Sequence, residues 1–211
     1  RRDTAEFMQN KCYPDDIQDN LWHSSIAYME SKLDALDKTS PINKARREIS
    51  DRCAAFAEKP GGIIQLNVPT GAGKTLASLR YALRHAEKYG KKRIVFTSSL
   101  LSVLDQNAKV IRDYLPEQEM ILEHHSNVVQ PEQVDEREEW EMMVEAWRAP
   151  VIITTLVQLL NTMFLGRSGN IRRFHALCNA VLVIDEIQTV PNNLLSICNL
   201  TMNFLSEICG T

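Results

Sequence analysis

Leu66-Asn67-Val68-Pro69-Thr70-Gly71-Ala72-Gly73-Lys74-Thr75 follows a β-rich run, Ile63 to Val68, and opens a stretch of helical periodicity over 75–89. Strand, glycine-bearing loop and helix in that order form the setting that a phosphate-binding loop requires. Gly71 and Gly73 admit backbone angles at which successive N–H groups point at one cluster of phosphate oxygens. A helix starting near Lys74 adds the positive end of its dipole. The Lys74 ammonium suits the β- and γ-phosphates of a nucleoside triphosphate, and the Thr75 hydroxyl suits Mg²⁺. Pro69, Thr70, Gly71, Ala72, Gly73, Lys74 and Thr75 are therefore the expected ATP-binding loop. A plain glycine-rich turn ahead of an ordinary helix would not need Gly-Lys-Thr at that junction.

On either side of the loop, short β-rich runs alternate with longer helical patterns. Strands are expected at Ile63 to Val68, Arg93 to Ser98, Met120 to Glu123, Val151 to Thr155 and Ala180 to Asp185. Helices are expected at 75–89, 100–114, 135–147, 156–164 and 193–208. Near-continuous apolar strands such as Val181-Leu182-Val183-Ile184 suit a parallel sheet buried on both faces. The alternation predicts an α/β fold with a doubly wound, mainly parallel sheet. Ahead of it, residues 1–39 are polar and helix-like, and Ser40-Pro41 restarts the pattern as N-cap and first helical residue. This predicts a helical extension over 1–39 and a nucleotide-binding domain over 40–211.

The second chemical signal is Val181-Leu182-Val183-Ile184-Asp185-Glu186-Ile187-Gln188, an apolar strand ending in two carboxylates. An Asp-Glu pair after a strand is by itself more often a solvated turn. Beside a phosphate-binding loop, Asp185 is placed to hold Mg²⁺ and Glu186 to act as general base on the attacking water. Open α/β sheets put ligands at the C-terminal ends of their strands, where both residues fall.

Bulk properties narrow the field. Across 211 residues, 44% are hydrophobic and 24% charged, the usage of an ordinary globular chain. No apolar run is long enough for a membrane span and no leader-like segment opens the sequence, so a cytoplasmic protein without a membrane partner is expected. The five cysteines, Cys12, Cys53, Cys178, Cys198 and Cys209, show no C-x-x-C pair and are expected to be reduced and mostly buried. A net charge of −3 argues against binding nucleic acid mainly through a basic surface. The opening Arg1-Arg2-Asp3, without Met, suggests a piece of a longer protein.

The Pro-Thr-Gly-x-Gly-Lys-Thr form, with Val68 where the general motif has Gly, resembles the loop of superfamily 2 helicases. Gly-Ala-Gly-Lys-Thr-Leu-Ala-Ser-Leu-Arg, Leu-Glu-His-His-Ser-Asn at Leu122 to Asn127, Asp-Glu-Ile-Gln and the segment Thr97 to Asn107 together look like the CRISPR-associated helicase–nuclease of type I interference systems, subtype C-like. The resemblance runs from about residue 40 to the end. It implies a RecA-like first motor lobe of an ATP-dependent helicase that moves along single-stranded DNA in antiviral defence. It also implies partners: a second helicase lobe and an HD nuclease domain of the same polypeptide, and an RNA-guided surveillance complex. Residues 1–39 would then be a linker or the tail of the nuclease domain. No His here is followed by Asp, so the nuclease box itself is not in this chain. The resemblance further implies that Gln188 couples the ATP state to the motor. Isolated from a second lobe and its arginine finger, the chain is expected to be nearly inactive. Alternatives are another superfamily 2 motor, either a restriction translocase or an RNA helicase, and a non-hydrolysing module in which ATP gates docking. Glu186 argues against the last, and Gln188, where DEAD-box proteins carry Asp, against an RNA helicase.

Other residues admit two readings. Ser98, Ser99, Thr154 and Thr155 end strands and are candidates to offer hydroxyls to a DNA phosphate, against β-propensity and helix capping. His124 and His125 are expected in packing, since no metal-ligand spacing accompanies them. Trp22, Trp140 and Trp147 are expected to pack rather than stack on bases. The acidic segment Pro131 to Glu145 reads as an exposed helix and Lys91-Lys92-Arg93 as a solvated turn.

Overall fold

The computed structural model describes residues 15–37, 39–128 and 134–211. Cys12 and Pro131 lie outside the described residues. The elements are α1 (Asp15–Asp34), α2 (Pro41–Phe56), α3 (Lys74–Tyr89), β1 (Arg93–Ser98), α4 (Leu101–Tyr114), β2 (Ile121–His124), α5 (Val134–Ala146), β3 (Val151–Thr155), α6 (Leu156–Phe164), α7 (Ser168–Leu177), β4 (Ala180–Ile184) and α8 (Asn192–Glu207). Short 3-10 turns sit at Gln118–Met120 and Ile187–Thr189.

The four strands form one parallel sheet in the order β2-β3-β1-β4. The chain steps from β1 out to β2, returns through β3, and then crosses to the far side of β1 for β4. That reversal makes the sheet doubly wound, as expected, and all C-terminal strand ends share one edge. Alternation along each strand divides the core. Ile94, Phe96, Val151, Ile153 and Val181 face α1, α3 and α4, while Val95, Leu122 and Ile152 face α5, α6, α7 and α8. No described helix is long and apolar enough to cross a membrane.

One expected strand is missing. Ile63 to Val68 forms no ladder, and Ile63 is 65% and Ile64 42% exposed. β-propensity is expressed only against a paired neighbour, and the described sheet ends at β4 without taking this run as its next strand. One helix had no counterpart in the sequence pattern. α7 opens Ser168-Gly169-Asn170, a composition that reads as loop, yet it buries Ala176 and Leu177 and its Arg173 Nε donates to Val144 O at 3.0 Å.

The break expected near residue 40 falls in the loop between α1 and α2, where Ser40 caps α2 by accepting from Asn43 N. Across that loop α1 is not set apart from the core. Leu21, Trp22, Met29 and Leu33 are buried with α3 and α4, and Trp22 Nε1 donates to Lys91 O at 2.9 Å. A charged knot holds α1, α2 and α3 together. Arg80 makes a fork-to-fork pair with Glu30 (2.7 and 2.8 Å) and donates to Asp51 (2.6 Å) and Ser50 (3.1 Å), while Arg84 also reaches Glu30 (2.7 Å). Burial alone would raise the Glu30 pKa, but hydrogen bonds and charge from the two arginines outweigh it and hold the carboxyl below its ordinary value.

Lys91 corrects the solvated-turn reading. It is buried, its Nζ donates to Gly210 O at 2.5 Å, and burial lowers its pKa. Of the described cysteines, only Cys198 is fully buried, the other three being half-buried. Burial raises the pKa of Cys53, Cys178 and Cys198, which disfavours the reactive thiolate. Trp22 and Trp147 are fully enclosed and Trp140 packs at the margin of the second core, as packing residues would.

Candidate nucleotide site

The loop ahead of α3 adopts the geometry its glycines permit. Gly71 has φ 80° and Gly73 φ 79°, both left-handed, and Gly73 caps the helix that begins at Lys74. Side chains other than Gly rarely hold those angles. Between them the chain turns, with Ala72 N donating to Pro69 O at 3.2 Å, and Thr70 and Gly71 are exposed. The first N–H groups of α3 have no side-chain cap and lie at the positive end of a 16-residue helix.

The acidic box meets this loop at the C-terminal edge of the sheet. Asp185 continues β4 alongside β1, its N–H donating to Thr97 O at 2.8 Å. Its carboxylate Oδ1 lies 3.8 Å from Lys74 Nζ and accepts from Glu186 N at 3.1 Å. Thr75 Oγ1 donates to Asn107 Oδ1 at 2.8 Å, and Asn107 Nδ2 lies 3.5 Å from Asp185 Oδ2. A hydroxyl and a carboxylate thus approach one another across a single amide. Hard oxygen donors of this kind, few in number and completed by phosphate and water, are what Mg²⁺ takes. The residues fit the cation.

Glu186 sits in the left-handed region, φ 58° and ψ 40°, where a non-glycine residue is strained. That angle turns the chain sharply out of β4 into the Ile187–Thr189 turn. Gln188 is exposed and its Nε2 donates to the Glu186 carboxylate. Lys74, Thr75, Asp185 and, through the backbone, Glu186 are therefore gathered in one place, with Gln188 tied to Glu186.

The four strand-end hydroxyls fare differently. Thr154 is fully buried and its hydroxyl donates to His124 O at 2.8 Å, so in this arrangement it presents nothing to a ligand. Thr155 caps α6, accepting from Gln158 N at 3.2 Å. Ser98 is fully buried and Ser99 half-buried, and neither hydroxyl has a hydrogen-bond partner among the described residues.

His124 and His125 go opposite ways from β2. Nδ1 of the half-buried His124 accepts from Trp147 Nε1 at 3.1 Å, and desolvation, the nearby Arg173 charge and His125 push its pKa down to about 4. His125 Nε2 lies 3.1 Å from Glu123 Oε2 and 3.9 Å from Asp105 Oδ1, and Asn127 Nδ2 donates to Asp105 at 3.2 Å. The double-histidine motif is thus packing on one side and a polar clasp to α4 on the other.

Two residues at the loop escaped the sequence reading. Arg46 of α2 lays its side chain against Gly73 and donates from Nε to Gly71 O at 2.9 Å. Asn107 is the other, and its signal was available. It stands in register with Leu104, Ala108 and Ile111, the buried stripe of α4, where an amide has no business unless it has a partner.

The sequence matches the family described as DEAD/DEAH box helicase over residues 48–206, a span that includes the loop, the acidic box and all four strands. No curated protein matches the chain. With the nucleotide loop and the acidic box meeting at one edge of a parallel sheet, and that match covering most of its length, the chain belongs to the DEAD/DEAH box helicase family and carries an α/β motor lobe of the ATP-dependent kind.

Proposed function

We propose that this chain is the first motor lobe of a CRISPR-associated helicase–nuclease, which hydrolyses ATP to move along the single-stranded DNA displaced by an RNA-guided surveillance complex. The observation that carries the ATPase part is the convergence of Lys74, Thr75 and Asp185. In this reading the loop amides and Lys74 hold the β- and γ-phosphates, and Thr75 and Asp185 hold the magnesium ion. Magnesium, when bound, neutralises phosphate charge and fixes the phosphates relative to the loop. Glu186 takes a proton from the attacking water, with Gln188 holding its carboxylate until the nucleotide state changes. The assignment to CRISPR interference is supported by the residues Leu122 to Asn127 and Gln188, whose likeness to that subgroup is greater than the shared motor boxes require. A second lobe and an HD nuclease on the same polypeptide complete the proposed enzyme.

The test is ATP hydrolysis by the full-length protein with single-stranded DNA, single-stranded RNA or no nucleic acid. Stimulation by DNA, and cleavage of DNA only where a surveillance complex has opened it, is the expected result. Stimulation by RNA alone would make this an RNA helicase, and DNA stimulation without any response to the surveillance complex would make it another superfamily 2 translocase.

A further inference from the structure

Besides Arg46, the nucleotide site contains a second side chain that none of its motifs supplies. Asn107 belongs to α4, between β1 and β2, and uses both ends of its amide on the two residues suited to magnesium. Its Oδ1 accepts from Thr75 Oγ1 at 2.8 Å and its Nδ2 points to Asp185 Oδ2 at 3.5 Å. Nothing local demands an asparagine there. Asn is a poorer helix former than Ala, and its neighbours along the same face, Leu104, Ala108 and Ile111, are buried and apolar. The position is half-buried, where an unpaired amide would be costly and a paired one orders its partners.

We propose that Asn107 is a positioning residue of the magnesium site: it sets the Thr75 hydroxyl and the Asp185 carboxylate to receive the cation. This rests on the nucleotide reading given above. Thr75 arrives on the loop-to-helix junction and Asp185 on the end of β4, and each is hydrogen-bonded to Asn107. Asn107, from a third element, is the link between them. A cation coming to the pair therefore finds both oxygens held rather than free, and the ordering cost of bringing them together is already met.

The same helix extends the consequence. Two residues before Asn107, Asp105 receives Asn127 at 3.2 Å and faces His125 at 3.9 Å. The first turns of α4 thus touch the magnesium pair at one residue and the loop after β2 at another.

The experiment measures binding of a fluorescent, non-hydrolysable ATP analogue to this chain while Mg²⁺ is titrated, with a parallel measurement in EDTA. Three proteins are compared: wild type, Asn107→Ala and Asn107→Asp. Loss of one hydrogen-bonding group beside a charged ligand should raise the half-maximal Mg²⁺ concentration about fivefold to tenfold in Asn107→Ala. Affinity in EDTA should be unchanged. Asn107→Asp places a second carboxylate beside Asp185 and should lower the Mg²⁺ midpoint below that of wild type. Ala favours the helix and Asp matches Asn in helix propensity, so both variants are expected to fold, and thermal melting checks it. If both variants keep the wild-type Mg²⁺ midpoint, or weaken EDTA binding and Mg²⁺ binding alike, Asn107 is only a packing residue and the proposal is overturned. If the wild type binds no analogue in either condition, the nucleotide reading itself fails, which is a separate result.

Discussion

Lys74 Nζ stands 3.8 Å from Asp185 Oδ1, although the two residues belong to elements separated by most of the domain. The parallel sheet makes this approach possible. β4 lies beside β1, and α3 packs over both, so the helix N-terminus and the strand C-terminus reach the same edge. At that edge the Lys74 cation and the Asp185 carboxylate face each other. A triphosphate with its magnesium would insert between these same charges.

Replacement of Glu186 tests the division of labour at the acidic box. In a protein that also carries the second lobe, Glu186→Gln should bind ATP as tightly as wild type while turnover falls by about 10²-fold or more, the usual contribution of a general base. Rapid-quench measurement of phosphate release reads the loss. Turnover at the wild-type rate would remove Glu186 from the reaction.

The charged knot under the loop helix makes a stability prediction. Among the described residues, Arg80→Met leaves Glu30 with Arg84 and the half-exposed Asp51 with Arg47. Breaking a fully buried pair costs roughly 3–5 kcal/mol, and the partial exposure here reduces that to about 2 kcal/mol. Urea unfolding should show a lower midpoint with an unchanged slope, whereas an unchanged midpoint would mean that the knot is decoration.

His124 predicts a pH dependence whose sign follows from its surroundings. The unfolded chain takes up this proton near the ordinary histidine value of 6.5, while the folded protein resists until about 4. Stability from this group is complete above pH 6.5 and declines as the pH falls towards 4, by at most about 1.4 kcal/mol per unit. His124→Asn keeps an acceptor for Trp147 without the titration. Its unfolding free energy should fall less steeply than that of wild type between those limits, and parallel curves would contradict the assignment.

Much of the fold was legible because α/β periodicity is a strong signal. The expected helix over 156–164 coincides with α6, and those expected at 75–89, 100–114, 135–147 and 193–208 agree within a residue at each end. The strand at Ile63 to Val68 was misread because its composition reports β-propensity and not whether a partner edge exists. α7 was missed because Gly169 and Asn170 look like loop, and only tertiary burial of Leu177 makes the helix worthwhile. At the candidate site, the meeting of the glycine loop, Lys74 and Thr75 with Asp185 and Glu186 at one sheet edge follows from the strand–loop–helix pattern and the strand-end position of the acidic pair. Thr154 was not legible, because the side of the strand its hydroxyl faces depends on register. Arg46 and Asn107 come from helices outside both motifs, and only the fold brings them to the loop.

In the proposed site Lys74, Thr75 and Asp185 jointly hold magnesium and a triphosphate. Isothermal titration of a non-hydrolysable ATP analogue with Mg²⁺ tests it most directly, using this chain, Lys74→Ala and Asp185→Asn. Wild type should bind measurably, Lys74→Ala not at all, and Asp185→Asn in a manner that no longer responds to Mg²⁺. Wild-type affinity and magnesium dependence in both variants would contradict that joint role.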